Sequence, residues 1–74
     1  MEPDATFAAW VRELRRRLRL SQDGLARQVG VSQTTIGRWE QGATRPPRAT
    51  RERLAELAER AGLGPPPGRG DDGG

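Results

Sequence analysis

The chain contains no cysteine, histidine, lysine or tyrosine. The first two absences exclude disulfide staples and the usual structural zinc sites. With no paired carboxylates in a pocket-forming context either, almost no candidate nucleophile or general base remains. No catalytic, metal-binding or cofactor-binding residue is therefore assigned, and an enzyme is not expected. Long apolar runs are missing too. Nothing approaches the length that spans a bilayer, and the first residues lack the basic-then-apolar pattern of a signal peptide. A cytoplasmic protein with no membrane partner is the expectation. Aromatics are scarce, one Phe and two Trp in 74 residues, and this length allows one small domain. A core of that size seldom supplies more than about 3–5 kcal/mol, which favours compact helices with local contacts.

What is present is arginine. All 13 cations are arginine and the net charge is +3. A GC-rich genome explains that usage at least as well as a functional demand. The guanidinium nevertheless pairs bidentately with phosphate and guanine edges, where lysine is only a point charge. So modest a net charge does not establish nucleic-acid binding, because many solvated helical surfaces look alike.

The first helical pattern follows a frayed arm, Met1–Ala5, with Asp4 or Thr6 as the expected cap. Phe7, Trp10, Val11, Leu14 and Leu18 lie within an arc of about a hundred degrees, predicting a helix from Ala5 to Leu18 or Arg19. Arg12, Arg16 and Arg19 take the opposite, solvated side, and Arg15 falls at the edge of the apolar stripe. Leu20 is expected to plug the core between the first two helices.

The stretch from Ser21 to Gly42 organises the chain. Ser21 can cap a helix whose Leu25, Ala26 and Val29 share one face. Gly30 follows, where helices end in a left-handed residue. Ser32 caps again, Ile36 and Trp39 lie three apart on one face, and Gly42 is another stop. Two helices of about two turns joined by roughly three residues make a helix-turn-helix. On the second of them Gln33, Thr34, Gly37, Arg38 and Gln41 fall on one polar face, opposite Thr35, Ile36, Trp39 and Glu40. Trp39 shares the face of Ile36, so it is assigned to the core and not to base stacking, as is Trp10.

This stretch resembles the phage-repressor-like (Xre) family, which includes the lambdoid phage repressors. Ser21-Gln22, Leu25-Ala26, Val29-Gly30-Val31-Ser32, Ile36, Trp39-Glu40 and Gly42 carry the resemblance, with no insertion among them. It implies an all-α, compact four-helix lambda-repressor-like DNA-binding domain. The second helix of the motif would enter the major groove with its N-terminal residues on the base edges. Gln33 would then be bidentate to adenine, and Thr34 would offer a methyl to thymine or a hydroxyl to phosphate. Arg38 would fork onto guanine or swing out to a phosphate. Gly37 would let the backbone approach the groove floor, unless it is a tolerated defect. Phosphate or minor-groove contacts are expected from Gln22, Ser32, Gln41, Thr44, Arg45 and Arg48; for Arg48 the alternative is helix stabilisation. Gln22 matches a family residue that bridges a phosphate and the first recognition glutamine, here Gln33. By the same resemblance Arg15 forms a partly buried, structural ion pair with Glu40. The family often has glycine where Arg19 stands, so Arg19 is either left-handed or in a different turn. Gly24 is an oddity inside its helix, at about 1 kcal/mol relative to alanine.

After Gly42, two prolines forbid helix until Pro47, expected as the first residue of the next one. Thr50, Leu54, Leu57, Ala58 and Ala61 share a face there, expected to pack on helices one and three. Arg48–Glu52 and Glu56–Arg60 are favourable pairs four apart. Relatives commonly add a fifth helix; here G-L-G-P-P-P-G-R-G-D-D-G-G takes its place, with six of the ten glycines and three of the six prolines. The domain is expected over residues 1–63, with a disordered Gly/Pro-rich tail over 64–74.

The function expected is sequence-specific binding of double-stranded DNA by a bacterial transcriptional regulator, a repressor, at the nucleoid. One domain covers about half a site, so the partner is a pseudo-palindromic operator bound by a weak homodimer. The resemblance implies that its contacts lie around the fourth helix. The alternative is a protein-interaction module of the same fold, an antitoxin or coactivator-like adaptor. It would expose an apolar patch around Leu57 and Leu63.

Overall fold

Apolar residues recur every three to four positions along α1 (Ala5–Leu18), and this spacing places Phe7, Val11 and Leu14 in full burial. The computed structural model describes residues 5–67. Three more helices complete an all-α fold: α2 (Gln22–Val29), α3 (Gln33–Glu40) and α4 (Arg48–Ala61), with no strand among the described residues. The arm before Ala5, including Asp4, lies outside the described residues. Thr6 falls within α1 and is not its cap.

Each element of the central motif ends where local chemistry stops it. The Ser21 hydroxyl accepts the Gly24 amide at 3.0 Å, satisfying a donor that the first turn of α2 leaves open. Gly30 closes α2 in the left-handed region at φ 85°, its amide donating to the Ala26 carbonyl. Ser32 caps α3 in the same way, accepting from the Thr35 amide at 3.1 Å. Arg19 is left-handed at φ 59°, one residue past α1. There the Leu20 amide reaches back to the Arg15 carbonyl at 3.0 Å. A side chain in that region costs roughly 1 kcal/mol or more. A Cβ on Gly24 would stand 3.2 Å from Leu20 Cδ2, so that the leucine end would have to give by a few tenths of an ångström. Leu20 is half-buried and packs against the core, as the spacing predicts.

The core joins Phe7, Trp10, Val11 and Leu14 of α1 to Leu25 and Ala26 of α2, Ile36 and Trp39 of α3, and Leu54, Leu57 and Ala58 of α4. The Phe7 ring lies 5.9 Å from Trp10 and meets Trp39 edge-on at 6.3 Å. Burying each such side chain contributes about 1.5–3 kcal/mol. Both tryptophans are therefore framework and not exposed stacking platforms.

α4 differs from expectation in three respects. It lies closest to α1 and α2, where α1 and α3 are the expected partners, and it is Leu54, Leu57 and Ala58 that it buries. Pro47 is the N-cap and Arg48 the first helical residue: with ψ 168° its backbone is extended, and its carbonyl accepts the Arg51 amide at 3.0 Å. The ring sets φ alike for either position, so only ψ separates them. Finally, Leu57 is buried and contributes nothing to an exposed patch.

Two side chains of α1 hold the far end of α4. Arg17 Nη1 donates to the Gly62 carbonyl at 2.9 Å, and Trp10 Nε1 donates to the Gly64 carbonyl at 2.9 Å. The chain runs on without helix through Pro67, beside Arg48, Arg51 and Ala55 of α4. The rest of the Gly/Pro-rich tail, residues 68–74, lies outside the described residues.

Candidate nucleic-acid interface

With Ile36 and Trp39 pulled into the core, α3 turns its polar side outward. Gln33, Thr34, Arg38 and Gln41 are exposed and Gly37 is half-buried. These five and Gln22 of α2 line one shallow concavity of about 350 Å³. Gly37 forms part of its floor. A Cβ there would meet only Gln22 Nε2, at an ordinary 3.7 Å, so nothing in the protein demands glycine at this position. Ser32 is exposed at the start of α3, its hydroxyl shared between the Thr35 amide and the Thr35 hydroxyl, 2.9 Å away.

Behind the concavity stands an ion pair. Arg15 Nε donates to Glu40 Oε2 at 2.6 Å and Arg15 Nη2 to Oε1 at 3.2 Å, the bidentate geometry that guanidinium and carboxylate favour. The Glu40 side chain is 8 % exposed and that of Arg15 25 %. Arg15 Nη1 also donates to the Leu20 carbonyl at 3.2 Å, tying the turn between α1 and α2 to the same group. Glu40 Oε1 takes a further bond from Gln22 Nε2 at 3.1 Å. Gln22 Oε1 in turn faces Gln33 Nε2 at 3.5 Å.

Two links in this arrangement have no signal in the sequence. Spacing puts Arg12 on the solvated side of α1, yet its Nη1 donates to the Glu40 backbone carbonyl at 3.3 Å, satisfying an open acceptor at the end of α3. The Gln22–Glu40 bond spans 18 residues between two helices and likewise has no periodic signature.

The remaining predicted contacts lie apart from the concavity. Thr44, Arg45 and Arg48 are exposed on the loop after α3 and the first residue of α4. The Arg45 guanidinium sits 5.9 Å from the centre of the Phe7 ring, an arrangement worth about 0.5–1 kcal/mol at an exposed site. Arg48 stands 3.6 Å from Glu52, both largely solvated, so the pair contributes little. Among the described residues no group of acidic, histidine or cysteine side chains could hold a metal ion, and no helix is long and apolar enough to cross a membrane.

The second helix of the motif is thus polar on its outward side and locked to α1 and α2. The family model described as a helix-turn-helix domain matches residues 6–66. The chain belongs to the helix-turn-helix domain family. No curated protein and no solved structure gives a significant match. As a helix-turn-helix domain the chain is of a DNA-binding kind associated with transcription regulation, and such domains are typically not enzymes. In the terms of that family, α3 is the recognition helix and α2 the helix that crosses the backbone.

Proposed function

We propose that this helix-turn-helix domain is of the phage-repressor-like (Xre) kind and binds a specific double-stranded DNA sequence as a transcriptional repressor. The observation that carries this reading is the concavity on α3, where every lining residue is polar or glycine and the apolar residues of the same helix are buried. In this reading Gln33, first in the helix, is bidentate to adenine, and Arg38 forks onto guanine. Thr34 meets a thymine methyl, and Gly37 admits the groove floor. Gln22, Ser32, Gln41, Thr44, Arg45 and Arg48 hold the sugar–phosphate backbone and fix register without specifying sequence. Two copies pair weakly around α4 on a pseudo-palindromic operator.

Selection of bound duplexes from a random library at physiological salt tests this. The expected product is an inverted repeat whose half-sites lie about one helical turn apart. Gln33→Ala is expected to relax one base position at about 1–3 kcal/mol on the best site. A single enriched half-site would remove the homodimer from the reading. No enrichment from folded protein would remove DNA reading altogether. It would favour the protein-interaction alternative, for which the groove of about 330 Å³ between Ala55, Leu63 and Pro65 is the candidate surface.

A further inference from the structure

Glu40 lies behind the recognition face and touches no solvent-facing base reader. Its connection to one of them is a chain of amide and carboxylate groups with a direction built in. An ionised carboxylate only accepts hydrogen bonds. Glu40 therefore admits the NH2 end of the Gln22 amide, at 3.1 Å, and rejects its oxygen. With that end committed inward, Gln22 turns its carbonyl oxygen toward Gln33. A carbonyl oxygen also only accepts, so the NH2 end of Gln33 faces it. At 3.5 Å this contact is long, and in it the NH2 end of the Gln33 amide is the end turned toward Gln22.

We infer that Glu40, held by Arg15, is a specificity-positioning residue: through Gln22 it leaves Gln33 with one free N–H and one free carbonyl oxygen, so that Gln33 accepts adenine and rejects guanine. The inference rests on Gln33 reading a base, as proposed above. In the major groove adenine shows an acceptor, N7, beside a donor, the N6 amino group, whereas guanine shows two acceptors, N7 and O6. A freely rotating glutamine could turn both hydrogens of its amide onto the two guanine acceptors. One of those hydrogens is directed at Gln22, so the Gln33 carbonyl oxygen would confront guanine O6, acceptor against acceptor. Were Gln22 free to flip, its NH2 would face the Gln33 oxygen and release both Gln33 hydrogens to guanine. The Glu40 carboxylate prevents that flip. Arg15 supports it by engaging both carboxylate oxygens and leaving one lone pair of Oε1 for Gln22.

The test compares affinities for the duplex enriched from the random library and for the same duplex with G·C replacing the A·T pair that Gln33 reads. The parent is expected to prefer adenine by roughly tenfold or more. In Arg15→Met/Glu40→Leu an apolar pair of similar volume replaces the ion pair, so the fold is expected to persist. The adenine preference should fall to about twofold or less, and the loss should be confined to that base pair. Gln22→Met keeps the ion pair, breaks the relay at its middle, and carries the test if the double variant melts early; the same loss is expected. Retained preference in either folded variant would overturn the relay, as would an even loss of base preference at every position, the mark of a general structural defect. The phosphate contact that Gln22→Met also loses lowers affinity for both duplexes alike and leaves their ratio as the readout. Gln33→Ala separates the two levels. If it keeps the adenine preference, the groove reading itself fails. If it alone loses the preference, the reading stands and the relay falls.

Discussion

Arg15 and Arg16 are neighbours on α1, and each grips a glutamate with the same two nitrogens. Arg15 holds Glu40 through Nε at 2.6 Å and Nη2 at 3.2 Å; Arg16 holds Glu13 through Nε at 3.1 Å and Nη2 at 2.6 Å. The bond chemistry is the same, and the difference lies in surroundings and reach. The Arg15–Glu40 side chains are 25 % and 8 % exposed and join α1 to α3, 25 residues away. The Arg16–Glu13 side chains are 72 % and 32 % exposed and lie one turn apart on a single helix. The outer pair is screened by water and salt and constrains nothing beyond α1. The inner pair, poorly solvated, fixes where the recognition helix lies and which way the Gln22 amide faces. Arg17 stands between these cases: its Nε meets Glu13 at 2.8 Å while its Nη1 reaches across to the end of α4.

Breaking the inner pair is expected to have the largest effect. Glu40→Ala should lower stability by about 2–3 kcal/mol, short of a fully buried pair because Arg15 retains some water. Thermal melting should drop by roughly 10–20 °C. An unchanged melt would put this pair on a par with the outer one. Arg17→Ala, which loses both the Glu13 contact and the bond to the Gly62 carbonyl, should cost about 1 kcal/mol in the same measurement. If it costs no more than Glu13→Gln, the bond to α4 contributes nothing and reach is not what separates the pairs.

Glu13→Gln should have the smallest effect near neutral pH and a distinct signature in acid. Hydrogen bonds from Arg16, and then from Arg17, lower the Glu13 carboxyl from 4.5 to about 2. The folded state therefore takes up this proton less readily than the unfolded chain. The contribution is complete above about pH 4.5 and fades as the pH falls toward about 2. Melting temperatures between pH 5 and pH 2 should fall less steeply for Glu13→Gln than for the parent, and added salt should shrink the difference. Parallel acid limbs would mean that the outer pair contributes nothing at all.

The outer cluster is legible in the sequence because residues three and four apart on a helix are neighbours by geometry alone. The same holds for the stripe Phe7, Val11 and Leu14, for the caps at Ser21 and Ser32, and for the stop at Gly30, each set by a short window of chain. The polar face of α3 is legible as the complement of Ile36 and Trp39. Other features are not. That α4 lies closest to α1 and α2 depends on how four amphipathic faces share one core, and no single face records its partner. Pro47 reads alike as cap or first residue, since only ψ distinguishes them. The resemblance makes Gln22 a bridge between a phosphate and Gln33, but its bond to Glu40 lies between helices whose relative pose appears in neither.

The sequence by itself determined four amphipathic segments, the ends of the two helices in the central motif, and which side of the motif's second helix is left for solvent or DNA. These follow from periodicity and capping, which act over one or two turns of chain. Only the tertiary structure decided that Arg12 closes the end of α3, that Trp10 and Arg17 hold the chain beyond α4, and that Glu40, Gln22 and Gln33 stand in one line. Those contacts join residues 11 to 54 positions apart. Their distances depend on how rigid helices cross once the core has closed, a property of the packed whole and not of any local stretch.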